Sequence, residues 1–252
     1  MTARTRPTPP PRPRATADAL VARAALLAGA GTGAVTALAF TVQPMFALGA
    51  GFPVRVAFLA GASMLVALSG LRDHHPFARV GPANLVTGTR ALLVALLAAV
   101  ALEPAAQPRG WWVAGTATLA ASLDLADGWL ARRTRLASAF GARFDMEVDA
   151  LLILVLTVLV WRGGLTGAWV LASGLMRYAF VAAAMALPWM NRALPPSRRR
   201  QAVCVVQIAA LIAALAPIAA PAAALALAAG SLAVLTWSFA VDVVWLRAAP
   251  RA

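Results

Sequence analysis

Apolar runs of near membrane-spanning length follow one another along the chain, eight in all, at residues 20–42, 54–71, 84–103, 111–131, 140–161, 165–187, 201–218 and 222–246. Each is close to the roughly 20 residues that a bilayer core demands of a helix. A soluble domain of 252 residues could bury a good core, but it would expose more charge than the 12% found here beside 62% hydrophobic residues. The pattern predicts an all-α fold, a polytopic membrane helix bundle. The first two runs have Gly-rich interiors and also suit tilted or interfacial segments.

The net charge is +13, and all 22 basic residues are arginine. A basic balance can mean nucleic acid, but these arginines sit mostly between apolar runs, as cytoplasmic anchors do. No nucleic-acid partner is expected; the bilayer and phosphate-bearing substrates are. Arg4, Arg6, Arg12 and Arg14 lie in the N-terminal tail, and the segments 72–82, 132–139, 188–200 and the tail from Arg247 hold most of the rest. Counting runs places all of these on one side. The chain is therefore expected in the cytoplasmic (inner) membrane with both termini cytoplasmic. Residues 1–17, rich in Pro, Arg and Thr, are expected to be a disordered tail. His74 and His75 read as interfacial residues rather than metal ligands. The single cysteine, Cys204, excludes an intramolecular disulfide and reads as apolar packing.

The stretch 122–149 holds five of the nine acidic residues. On the run 111–131, Asp124, Asp127, Gly128 and Ala131 share one helical face. On the run 140–161, Gly141, Asp145 and Asp149 do the same. The short connection between the runs predicts antiparallel neighbours. A rise of about 1.5 Å per residue puts the acids at matching depths near one membrane edge. Four unpaired carboxylates there would be costly. Hard divalent cations, Mg²⁺ or Mn²⁺, take such oxygen ligands, and two ions would neutralise the four and clamp phosphate oxygens. Gly128 and Gly141 leave room for a bulky ligand, and Arg132 can meet a phosphate with paired donors. The competing reading is a set of ion pairs with Arg132, Arg133, Arg135 and Arg143.

The spacing D-x2-D-G-x2-A-R-x8-G-x3-D-x3-D, carried without a gap by Asp124, Asp127, Gly128, Ala131, Arg132, Gly141, Asp145 and Asp149, resembles the signature of the CDP-alcohol phosphotransferase family. The stretch PANLVTGTR is similar to a second family element, Pro-Asn-x-x-Thr-x-x-Arg, with Asn84, Thr87 and Arg90 matching. The resemblance covers 82–247 and implies a six-helix catalytic core. It leaves 18–81 as two additional transmembrane segments with a cytoplasmic loop, and 248–252 as a C-terminal tail. It implies transfer of a substituted phosphate from a CDP-alcohol, usually CDP-diacylglycerol, to a second alcohol with release of CMP, in phospholipid synthesis. Asp124, Asp127 and Asp145 would then bind metal, and Asp149 would act as general base and further ligand. Gly128, Ala131, Arg132, Gly141, Asn84 and Thr87 would line the nucleotide site.

The acceptor is less legible. Arg177 lies within a run and is a functional candidate by position. Arg198, Arg199 and Arg200 open the next run. Together they suit a phosphorylated acceptor, glycerol 3-phosphate first and inositol phosphate second, with an unphosphorylated alcohol such as serine as the alternative. Pairing of Arg177 with Asp242 or a carbonyl competes with that role. Glu147 is expected in an ion pair, and Gln207 and Ser238 in interhelical hydrogen bonds. A homodimer is compatible with these features. A divalent-cation transporter using the same carboxylates is the reading from another class, but the uncharged far halves of both acidic runs disfavour it. A scaffold that kept the motif is a third.

Overall fold

The structure, a computed structural model, describes residues 14–74, 77, 79–104, 110–134 and 138–248; of these, the side chains of 14–17, 72–74, 125–132 and 134 lie outside the description. The described residues form eight α-helices and no strand: α1 (Arg14–Met45), α2 (Phe52–His74), α3 (Pro82–Ala101), α4 (Trp111–Thr134), α5 (Ala139–Arg162), α6 (Leu171–Ala186), α7 (Arg198–Leu215) and α8 (Pro221–Ala248). Each contains the greater part of one expected apolar run. α1 starts at Arg14, inside the stretch expected to be disordered; residues 1–13 lie outside the description.

Local chemistry sets the helix ends that matter for the site. α3 opens with Gly81 in an extended conformation and Pro82 in the first turn, where a missing N–H costs nothing. α5 opens with Ser138, whose hydroxyl accepts from the Gly141 N–H at 3.0 Å. After α5 the chain turns at Gly164, whose φ of +67° favours a residue without Cβ.

α3 is the centre of the bundle. It packs on α1, α2, α4 and α5, and α5 in turn packs on α6 and α7. Ala91, Ala95 and Ala99 recur at one-turn spacing and are nearly sealed from solvent, so neighbouring backbones come close. Val94, Leu97 and Val100 of α3 meet Leu152, Leu156 and Leu159 of α5 and Leu211 and Leu215 of α7 in one core. This arrangement corrects the expectation that α4 and α5 are antiparallel neighbours. Among the described residues each packs on α3, which stands between them, and they share little or no direct contact.

Among the described residues, five helices are long and apolar enough to cross a membrane: those spanning Asp18–Met45, Phe52–Leu71, Pro82–Ala101, Ala168–Ala186 and Pro221–Ala248. The other three, α4, α5 and α7, carry the acidic residues of the motif and the Arg198–Arg200 cluster within their length. Large side chains such as Phe40, Phe58, Leu65 and Met185 are mostly exposed. So broad an apolar surface is that of a protein covered by lipid.

Candidate active site

Arg90 organises the site. It projects from α3 into the gap between α4 and α5 and is fully buried. Its Nη1 pairs with Asp124 Oδ1 of α4 at 2.9 Å and with Asp145 of α5. Its Nη2 pairs with Asp149, and its Nε–H donates to the Ala120 carbonyl at 3.0 Å. A guanidinium is tolerated without water only when its donors are used, and its planar fork suits several carboxylates at once. The three acids are each partly exposed, so one edge of the cluster faces solvent.

Carboxylate oxygens of Asp124, Asp145 and Asp149 all lie within 4.8 Å of one another. Three carboxylates gather around one guanidinium, and the donors they offer are all hard oxygens. That set fits a divalent cation of the Mg²⁺ or Mn²⁺ type. Asp127, Gly128, Ala131 and Arg132 are on the helical backbone of α4, but their side chains lie outside the described residues. Asp124, Asp145 and Asp149 are thus brought together as their helical spacing implies. Arg90 of α3 holds all three; of the loop-side arginines in the competing ion-pair reading, Arg135 and the Arg132 side chain lie outside the described residues.

Gly141 has its own structural reason. A Cβ built there would lie 2.6 Å from Asn84 Oδ1, so the glycine makes the space that Asn84 occupies. Asn84 is only 9% exposed, and its amide nitrogen has no hydrogen-bond partner among the described residues. Thr87, one turn on, is also buried, and its hydroxyl donates to the Ala83 carbonyl at 3.1 Å. The two sequence elements therefore meet in space, α3 supplying the amide and α5 the gap beside it.

Residues 81–242 match the family model described as CDP-alcohol phosphatidyltransferase. The chain belongs to this family. No curated protein and no solved structure matches it with significance. The family's reaction is transfer of a phosphatidyl group from a CDP-alcohol, which makes the chain a transferase by membership. Gly81 caps α3 and Asp242 lies on α8, so the matched region runs from α3 to α8 and leaves α1 and α2 outside it.

On the other side of the acids, this member of the family has a cavity of about 470 Å³ between α5, α6, α7 and α8. Asp145 and Asp149 form one wall, and Arg177, Arg200 and Asp242 are also in the lining. The buried Ser173 hydroxyl, without a partner among the described residues, lines it as well. Of the arginines expected at an acceptor site, Arg177 and Arg200 are in this wall. Arg199 pairs with Asp242 and donates to Ser238 Oγ at 2.8 Å. Arg198 is exposed and does not line the cavity.

Several sequence expectations are corrected here. Arg177 pairs with Glu147, not with Asp242, and its Nη1 lies 3.0 Å from Met146 Sδ. Asp242 instead receives Arg199 and Arg200, the latter at 3.1 Å. Gln207 is fully buried, yet neither amide atom has a hydrogen-bond partner among the described residues. Cys204 is no remote packing residue: its Sγ lies 3.8 Å from Asp149 Oδ2 and it lines the same cavity. His75 lies outside the described residues, as does the His74 side chain.

Proposed function

We propose that this protein transfers the phosphatidyl group of CDP-diacylglycerol to glycerol 3-phosphate and releases CMP. The observation that carries the reading is the placement of Asp149. It is held by a buried arginine on one side and faces a cavity bearing two further arginines on the other.

In this reading Asp124, Asp127, Asp145 and Asp149 hold two divalent cations, Mg²⁺ or Mn²⁺. When bound, these ions supply charge neutralisation to the pyrophosphate and to the departing CMP. Gly128, Ala131, Arg132, Gly141, Asn84 and Thr87 line the nucleotide side. The acceptor's phosphate is held by Arg177 and Arg200, with Arg198 and Arg199 contributing positive field at the entrance. Its hydroxyl lies toward Asp149, which takes the proton as the oxygen attacks the phosphatidyl phosphorus. The new P–O bond forms as the bond to the CMP oxygen breaks. Arg90 fixes Asp145 and Asp149 by charge-assisted hydrogen bonds, so neither carboxylate must reorganise during the reaction. The site opens at the cytoplasmic edge, with both termini on that side, so the nucleotide stays in water while the acyl chains stay in lipid.

A transport role draws less support. Beyond Asp149, α5 continues with Leu152, Leu156 and Leu159, none of them exposed, so the carboxylates do not continue into a polar file along that helix. The test is CMP release by purified protein given CDP-diacylglycerol, Mg²⁺ or Mn²⁺ and a panel of alcohols. Release with glycerol 3-phosphate above the rest is expected. Preference for inositol phosphate or serine would reassign the acceptor, and no release with any alcohol would remove the enzymatic reading.

A further inference from the structure

The two helices outside the family match approach the site end of the bundle. A cavity of about 590 Å³ lies between α2, α5 and α6, within the range of roughly 300–1,000 Å³ usual for ligand sites. From α2 it is lined by the small residues Ser63, Ala67 and Gly70, and from α5 by Phe140, Phe144 and Leu151. Gly70 carries no side chain to fill the gap, and a Cβ there would sit 3.7 Å from the Phe140 ring. A second cavity, of about 190 Å³ between α1, α2 and α3, shares Ala67, Phe140 and Phe144 with the first. The stacked rings of Phe140 and Phe144, 5.9 Å apart, are thus common to both.

Three observations say what covers these walls. Asn84 lines the second cavity and also abuts Gly141, so the apolar space adjoins the candidate nucleotide site through one residue. Its buried amide nitrogen has no partner within the described chain, a loss of about 1–3 kcal/mol unless a ligand accepts from it. The larger cavity is also graded. Arg143 is exposed and has no ion-pair partner among the described residues, Glu147 one turn on lines the same wall with its carboxylate paired to Arg177, and Leu151 lies about 12 Å beyond Arg143 along α5. Val66, 74% exposed, belongs to the same wall, so the cavity opens sideways toward lipid. A polar end bearing both Arg143 and Glu147 at the membrane edge, an apolar depth and a lateral opening match a phospholipid-like amphiphile.

We propose that α1 and α2 complete a binding site for the acyl portion of the lipid-linked donor. The chains pack along Ala67, Phe140 and Phe144, Asn84 donates to the ester or phosphate oxygens, and Arg143 faces the head region. This rests on the transferase reading and deepens it: the donor is a diacyl lipid and not a water-soluble CDP-alcohol, and the added helices select it.

The experiment uses the full chain and a CDP-diacylglycerol with a diazirine on one acyl chain. Photolabelling is mapped in wild type and in the Ala67→Phe and Ser63→Leu variants, which place bulk in the cavity. KM is measured in parallel for long- and short-chain donors, with Met185→Phe as the lipid-facing control. Labels on α2 and α5 should be displaced by unlabelled CDP-diacylglycerol but not by phosphatidylcholine. Either filling variant should raise KM about tenfold for the long-chain donor, with the short-chain donor nearly unchanged. Labels displaced equally by both lipids would mark bulk bilayer and overturn the proposal, as would equal KM changes for both donors. The labelling needs no turnover. Selective displacement without CMP release would therefore uphold the lipid site while removing the transferase reading, and CMP release without selective displacement would do the reverse.

Discussion

Arg90 decides what the aspartates are. Without it, three carboxylates within 4.8 Å would repel one another; with it, they are held together with hard oxygens grouped for a cation. Asp145 and Asp149 both touch Arg90 and line the cavity between α5, α6, α7 and α8; with Asp149, the last acid of the motif, as the proposed base, Asp149→Asn is expected to cut turnover by about 10³-fold or more while CDP-diacylglycerol still binds. Steady-state CMP release beside a binding isotherm checks this, and near-normal turnover would remove Asp149 as the base. Gly141→Ala is expected to push the Asn84 amide aside and raise donor KM about tenfold, with a smaller change in kcat. An unchanged donor KM would show that Asn84 makes no contact with the donor. The convergence of Asp124, Asp145 and Asp149 was legible because the acids repeat at helical spacing, which alone fixes their face. Arg90 matched a motif position but carried no assigned role. Its partners lie 30, 55 and 59 residues away, and no periodicity on α3 points to them.

At the scale of the helix, the interposition of α3 is what sequence could not show. α4 and α5 are joined by a short connection, which ordinarily makes two helices neighbours. Here small residues on α3 let it lie between them, and the carboxylates meet across its arginine. The α5–α6 crossing is similarly tight: a Cβ at Gly174 would stand 2.6 Å from the Leu154 Cα and 2.8 Å from the Thr157 hydroxyl. Backbone cannot give way as a side chain can. Gly174→Val is therefore expected to cost about 2–3 kcal/mol and to lower the melting temperature in detergent by several degrees. The same crossing carries Arg177 to its cavity, and Glu147, which lines the cavity between α2, α5 and α6, occupies its guanidinium. Arg177→Ala should raise the acceptor KM about tenfold, and Glu147→Gln, which frees the arginine, should lower it. An acceptor KM insensitive to both changes would reject Arg177 as a phosphate ligand. That Glu147 is paired was readable from its place between the motif acids; that its partner is Arg177 was not, since the pair spans two helices 30 residues apart.

Across the whole molecule, chemistry and anchoring are separated to opposite ends. The starts of α3 and α5 hold Asn84, Arg90, Asp145 and Asp149, which Asp124 joins from α4, while the far ends of α3 and α5 hold a second polar cluster. There Arg55 of α2 pairs with the nearly buried Glu103, and Arg162 donates to the Glu103 carbonyl at 2.9 Å. This cluster ties the added helical pair to the matched region and leaves the opposite ends of α1 and α2 beside the site. The number and order of helices were legible because each apolar run must satisfy its backbone within itself in lipid. The way α1 and α2 dock was not, because it depends on packing between faces that carry no motif.

The central claim is that the cluster around Arg90 moves a phosphatidyl group. Its most direct test follows the donor's own phosphorus. Purified protein is given Mg²⁺, glycerol 3-phosphate and CDP-diacylglycerol labelled at the diacylglycerol-linked phosphate, with wild type and Asp149→Asn compared. The account predicts that the label appears in a new lipid carrying both phosphates, that the released CMP is unlabelled, and that transfer needs the metal, the acceptor and Asp149. Label that stays in CDP-diacylglycerol with every alcohol offered, while a known family enzyme turns over beside it, would contradict it.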